Sequence, residues 1–103
     1  MPKIALVVEF EVRPGAHSAL LALMRGHAAA CLAEEPGCER FDVLEVLDAA
    51  GMPDTGRLML YEVFADAPAR AAHWANPRHE ATKAAFAPLI LGRSSRVCHL
   101  APD

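Results

Sequence analysis

The chain has 103 residues, 53% of them hydrophobic, and a formal net charge of −3. That length predicts a single domain over 1–103, burying roughly 65% of the surface its unfolded form exposes. Without a Lys/Arg cluster it predicts no nucleic-acid partner, and without an apolar run of membrane-spanning length it predicts no membrane span.

The first predicted strand runs from Lys3 to Val12. Ile4, Leu6, Val8, Phe10 and Val12 share one face at period two, and Ala5, Val7, Glu9 and Glu11 share the other. The two glutamates and the lack of a small-residue cleavage site argue for a strand over a signal peptide. After Arg13-Pro14-Gly15 a helix is predicted from about Ala16 to Ala33. Its apolar stripe holds Leu20, Met24, His27/Ala28 and Cys31, with Leu21 and Leu32 beside it. Pro36-Gly37 is a turn signal.

The second predicted strand spans Cys38 to Leu47, with Arg40, Asp42, Leu44 and Val46 on one face and Phe41, Val43 and Glu45 on the other. Asp48 to Gly56 is a loop. The third strand is Leu58 to Phe64, with Leu58, Leu60, Glu62 and Phe64 on one face and Met59, Tyr61 and Val63 on the other. Asp66 and Asn76 read as helix caps, with Pro68 and Pro77 in the first turns that follow. They predict two short helices, Pro68 to Ala75 and Pro77 to Ala87. Leu89 to Gly92 is an ambiguous connector, and Ser94 to Leu100 is the last strand.

The order β-α-β-β-α-β predicts an α+β, ferredoxin-like fold, with helices on one face of an antiparallel sheet. A hairpin centred near Gly51 would set Arg40 opposite Glu62 and Asp42 opposite Leu60. Arg40 and Glu62 would then form an ion pair on one face. The high apolar content predicts a second copy of the chain against the other face, with Tyr61 at the interface. Cys31, Cys38 and Cys98 are odd in number and without paired spacing, which predicts a reducing cytoplasm and no disulfide framework.

The segments EEPGCERFDVLEV and RLMLYEVFADAPARAAHWANPRH carry a Pro-Gly-Cys turn, an Arg-aromatic-Asp strand, a Tyr-Glu strand, a helical His and a Pro-x-His. With these motifs the chain resembles the antibiotic biosynthesis monooxygenase (ABM) family, in its branch of small quinol monooxygenases and autoinducer-processing proteins. The resemblance runs from the first strand through His79. It implies a dimeric α+β barrel and cofactor-independent oxidation of phenols or quinols by oxygen. It points to Arg40, Asp42, Glu62, His73 and His79. Phe41 stands where Tyr is common in the family, and the loop from Asp48 to Gly56 is longer than usual.

On this reading His73 is the catalytic base, since a neutral imidazole titrates near physiological pH. The alternative is a helix-end histidine serving the dipole. Glu62 and Arg40 position the base, or form a structural pair. Trp74 and Phe64 wall a flat aromatic ligand, or Phe64 is core. His27 reaches the pocket, His79 sits at its mouth or is exposed, and His17 is solvated. No His-x-x-His, Cys-x-x-Cys or spaced carboxylate cluster occurs, so no metal is predicted. Two other functions stay open. One is an isomerase or degradation enzyme for a small oxygenated, possibly phosphorylated, signalling metabolite. The other is a non-catalytic dimeric ligand-binding module.

Overall fold

The computed structural model describes residues 2–102, so Met1 and Asp103 of the expected domain lie outside the described residues. The elements are β1 (Ile4–Val12), α1 (His17–Glu34), β2 (Cys38–Leu44), β3 (Arg57–Phe64), α2 (Ala67–Ala75), α3 (Pro77–Phe86), a single 3-10 turn at Ala87–Leu89, and β4 (Ile90–His99). The strands form one sheet in the order β2-β3-β1-β4, with every neighbouring pair antiparallel. This is the expected ferredoxin-like α+β arrangement, with the second helical segment divided into α2 and α3.

The inner face of β1 is as its periodicity predicts: Ile4, Leu6, Val8, Phe10 and Val12 are all buried. They pack with Leu58, Leu60 and Phe64 of β3 against Leu20, Met24, Ala28 and Cys31 of α1. The caps also form as read. Asp66 accepts from Ala69 N at 2.8 Å, and Asn76 accepts from Arg78 N at 2.9 Å.

Three departures bear on the site. The first is the β2–β3 register, where Arg40 pairs with Val63, Phe41 with Glu62 and Asp42 with Tyr61. The ladder slips between Cys38 and Arg40, with Glu39 as the extra residue of a bulge. A slip of one residue exchanges the faces. Phe41, not Arg40, therefore shares the inner face with Glu62. The expected Arg40–Glu62 pair is corrected: Arg40 lies on the outer face, bonded to Asp42 at 2.6 Å, with its guanidinium 5.7 Å from the Tyr61 ring centroid.

The second departure is the end of β2, which stops at Leu44, not Leu47. The Asp48 carboxylate accepts from Ala50 N at 2.9 Å and Met52 N at 3.0 Å, and so folds the hairpin tip into a loop. The third is the start of β4. Ile90 to Gly92 of the ambiguous connector, together with Arg93, extends β4 and pairs with β1, with Arg93 opposite Phe10 on the inner face.

Candidate active site

Four elements converge at one end of the inner face. Glu62 comes from β3, His27 from α1, His73 from α2 and His79 from α3; with Phe41 and Arg93 they line a cleft whose cavity volume is about 20 Å³. That is close to the space of one water molecule.

His73 is held by the packing of α2. Gly37, in the turn after α1, leaves room for this helix: a Cβ there would stand 2.3 Å from Ala69 Cβ. One turn further along, His73 is 3% exposed, with the Phe64 ring 4.9 Å from its own. His73 Nδ1 lies 2.7 Å from Glu35 Oε1. An ionised carboxylate only accepts, so Nδ1 carries the proton and donates it. Neutral His73 therefore has its bare nitrogen at Nε2, which faces Glu62 Oε1 at 3.6 Å. That separation exceeds a hydrogen bond.

The carboxylates have different environments. Burial raises the Glu35 carboxyl, but hydrogen bonds from His73 and Cys31 and the charges of His73 and Arg78 outweigh it and hold the group below its ordinary value. Arg78 Nη2 also donates to Glu35 Oε2, and Arg78 Nη1 donates to Glu34 Oε2 at 3.1 Å. Glu62 has no such partners. Burial pushes it up to about 7, against the nearby charges of Arg93 and Arg70, and its Oε1 makes no hydrogen bond.

The other histidines are apolar-walled. Burial, and next the charge on His73, push His27 down to about 4; its Nδ1 lies 3.1 Å from Thr82 Oγ1, and the Phe41 ring meets it edge-on at 5.4 Å. His79 is lowered by burial and then by His73. Its ring lies between those of His73, at 5.0 Å, and Trp74, at 4.6 Å, and neither of its nitrogens has a partner among the described residues. Cys31, 3.8 Å from His73 Nδ1, is pushed up to about 12 by burial and is not a thiolate nucleophile at neutral pH.

The structure thus gathers Glu62, His73, His27 and His79 of the residues named from sequence. Phe64 is fully buried core that supports His73. Trp74 is half-exposed outside the cleft, over His79 and between Arg70 and Lys83, each 5.6 Å from its ring centroid; it does not wall the cavity. Arg40 and Asp42 are on the opposite face. His17, expected in solvent, is buried, with Nε2 4.0 Å from Glu45. Sequence reasoning missed Glu35, Thr82 and Arg93. Glu35 was within reach: it continues the spacing of four from His27 through Cys31, and so extends the buried stripe of α1 past its end.

One nitrogen from each of His27, His73 and His79 lies within 4.8 Å of the others, and Cys31, Glu35 and His73 form a second such group. No helix among the described residues is long and apolar enough to cross a membrane.

A family profile described as antibiotic biosynthesis monooxygenase matches residues 3–85. No curated protein matches the chain. Among solved structures, Rv0793 from Mycobacterium tuberculosis is 26% identical with a TM-score of 0.81, over 98% of this chain and 97% of that one. A variant of SnoaB, described as a cofactor-independent oxygenase from Streptomyces nogalater, is 19% identical with a TM-score of 0.82, over 100% of this chain and 97% of that one. NE2512 from Nitrosomonas europaea, described as of unknown function, is 24% identical with a TM-score of 0.80, over 100% of this chain and 93% of that one. The last two likenesses show a shared fold.

Proposed function

The chain belongs to the antibiotic biosynthesis monooxygenase family, and from that premise we propose that it is a cofactor-independent monooxygenase of a small phenolic or quinol-type aromatic substrate. The observation that carries the reading is His73. Its Nδ1–H is anchored on ionised Glu35, and its bare Nε2 is turned into an apolar cleft. A base so placed has its tautomer fixed, and Glu35 stabilises the imidazolium that forms.

In the proposed reaction His73 Nε2 takes the proton of a substrate hydroxyl. The electron-rich anion passes one electron to dioxygen, the resulting radical and superoxide join as a peroxide on a ring carbon bearing hydrogen, and the His73 imidazolium returns its proton to give the hydroperoxide. Loss of water, by cleavage of the O–O bond with removal of that hydrogen, leaves a carbonyl. One dioxygen yields one inserted oxygen and one water, and the substrate supplies all the electrons. Glu62, with its pKa near 7, is suited to relay the proton that leaves in the last step. The apolar wall keeps the anion and hydroperoxide from bulk water. A ring enters the cleft only when side chains such as Phe86 and Met24 move aside, since the space present holds about one water.

We also propose a homodimer formed through the outer sheet face, where Val7 and Met59 line a shallow hollow of about 400 Å³ and Tyr61, opposite Val7 on the next strand, is half-buried. The free thiols of Cys31, Cys38 and Cys98 suit a reducing cytoplasm. Oxygen uptake with a panel of quinols and phenols tests the activity: one dioxygen per product, lost in His73→Ala, is expected. No substrate-dependent uptake across the panel would remove the reading. Turnover of a small oxygenated metabolite without oxygen would favour an isomerase, for which the His73–Glu62 pair offers two proton carriers.

A further inference from the structure

The cleft holds more unpartnered ligand atoms than a proton-transfer site needs. Buried polar atoms almost always find a hydrogen bond, yet among the described residues Glu62 Oε1 and both nitrogens of His79 have no partner. Glu62 is 97% removed from solvent, with 3% exposure. Its Oε1 is 3.6 Å from His73 Nε2, and His73, His27 and His79 each bring a nitrogen within 4.8 Å of the others. We propose that His27, His73, His79 and Glu62 form a binding site for a divalent first-row transition ion of the zinc type.

The donor set fits that ion. Three imidazoles and a carboxylate oxygen suit zinc, cobalt or nickel, whereas calcium and magnesium prefer an all-oxygen shell. The supporting contacts fit as well. Histidines that bind metals are commonly oriented by a partner on the other ring nitrogen. Here Glu35 holds His73 Nδ1 at 2.7 Å, and Thr82 Oγ1 lies 3.1 Å from a nitrogen of His27. The cavity of about 20 Å³ has room for an ion. Ligand atoms around tetrahedral zinc stand roughly 3.3 Å apart, so uptake would draw together rings whose nitrogens lie within 4.8 Å of one another. Glu35 and Glu62 offset Arg78 and Arg93 around the ion.

The neighbouring group of Cys31, Glu35 and His73 does not compete. Glu35 already spends one oxygen on His73 and the other on Arg78. The four proposed ligands come from α1, β3, α2 and α3, so no local spacing announces them, and the proposal runs against the metal-free expectation from sequence. An ion bound there occupies His73 Nε2 and Glu62, so it would also inhibit the proposed oxygenation. Binding itself does not depend on that reaction.

The test uses the untagged full chain, stripped with a chelator and titrated with cobalt(II), then zinc(II). One equivalent of cobalt should develop the intense visible bands of a four-coordinate site, and zinc should displace it and raise the unfolding temperature. His79→Ala, which breaks no hydrogen bond, should weaken binding about tenfold or more with an unchanged far-ultraviolet CD spectrum. X-ray absorption on the unmutated zinc protein counts the imidazoles without relying on any variant. The weak spectrum of six-coordinate cobalt, fewer than three imidazoles, or unchanged affinity in folded His79→Ala would each overturn the site. Because these readouts are not turnover, a failure of the oxygenase reading leaves them interpretable.

Discussion

On the outer face of the β2–β3 hairpin, Arg40 and Asp42 meet at 2.6 Å with side chains 62% and 38% exposed. On the inner face Glu62 lies opposite Phe41, 3% exposed, with one oxygen unpartnered. The two carboxylates sit on adjacent strands of one ladder. Water and a nearby guanidinium solvate Asp42, so its pair is worth little to stability. Glu62 has no hydrogen-bonded arginine, and burial penalises its ionised form until the pKa reaches about 7, against the charges of Arg93 and Arg70. The contrast separates an ion pair that decorates a surface from a carboxylate whose protonation is adjustable near neutrality. A carboxylate of the second kind can be used in chemistry.

The largest way to sharpen the contrast is His73→Ala. If the inner face is a proton-transfer site, losing the base should lower turnover about 10²- to 10⁴-fold. The loss should appear in kcat measured by oxygen uptake, while urea unfolding shows a folded protein. A variant that is destabilised yet fully active would return His73 to a purely structural role.

Next comes the pH dependence of Glu62. Its folded pKa of about 7 lies above the ordinary 4.5. Below pH 4.5 both the native and unfolded chains hold the proton, and ionisation costs nothing. As pH rises to 7, the unfolded chain ionises first, so native stability falls by roughly 3 kcal/mol on this account. Burial lowers His27 to about 4, which works the opposite way: its contribution is present above pH 6.5 and is lost as pH falls through 4. Glu62→Gln should remove the first limb and expose the second. Urea unfolding of wild type and variant from pH 4 to 8 measures it. A stability difference that does not change across that range would show that Glu62 ionises freely.

A smaller effect is expected at Gly37, which sets how closely α2 approaches the sheet. In Gly37→Ala the new methyl would meet Ala69 Cβ at 2.3 Å, so the turn or the helix must shift. Overpacking of this kind costs about 1–3 kcal/mol. His73 lies one turn beyond the contact, so turnover should fall with stability. Gly37→Ala combined with Ala69→Gly should recover both, since the second change removes the opposing methyl. Failure of the pair to recover would mean that Gly37 acts through its backbone.

Most of the fold was legible because it rests on local patterns. The period-two face of β1, the stripe of α1 and the caps at Asp66 and Asn76 each constrain their own segments. The register of β2 on β3 was not legible, because the Glu39 bulge depends on how two distant segments meet. That one-residue slip moved Arg40 and Asp42 out of the predicted site and brought Phe41 into it. Arg93 was missed for a related reason: only pairing with β1 decides that Ile90 to Arg93 is strand. Glu62 and His27 stood out in the sequence as polar residues on apolar faces, and His73 through the family resemblance. Trp74 was misplaced because an aromatic residue near the end of a short helix carries no sign of which way it turns.

The smallest effect, and the one that tests the register itself, is the coupling between Arg40 and Glu62. A shared face at opposed positions would couple them, because losing Arg40 would strand a buried carboxylate. In the observed register the sheet lies between them, and Arg40 bonds Asp42 over Tyr61. Arg40→Met and Glu62→Gln should therefore add to within about 0.3–0.5 kcal/mol in a double-mutant cycle. Arg40→Met alone should cost about 1 kcal/mol or less, since it loses an exposed pair. Arg40 and Asp42 should couple weakly but measurably in the same assay. Non-additivity of 2 kcal/mol or more between Arg40 and Glu62, far above the roughly 0.5 kcal/mol allowed to independent sites, would mean that the ladder slips back in solution. Dimer formation supplies a control. If the outer face meets a second copy, Arg40→Met should alter the monomer–dimer equilibrium in sedimentation while leaving kcat per folded chain unchanged. An effect on kcat without one on assembly would bring Arg40 back to the inner face.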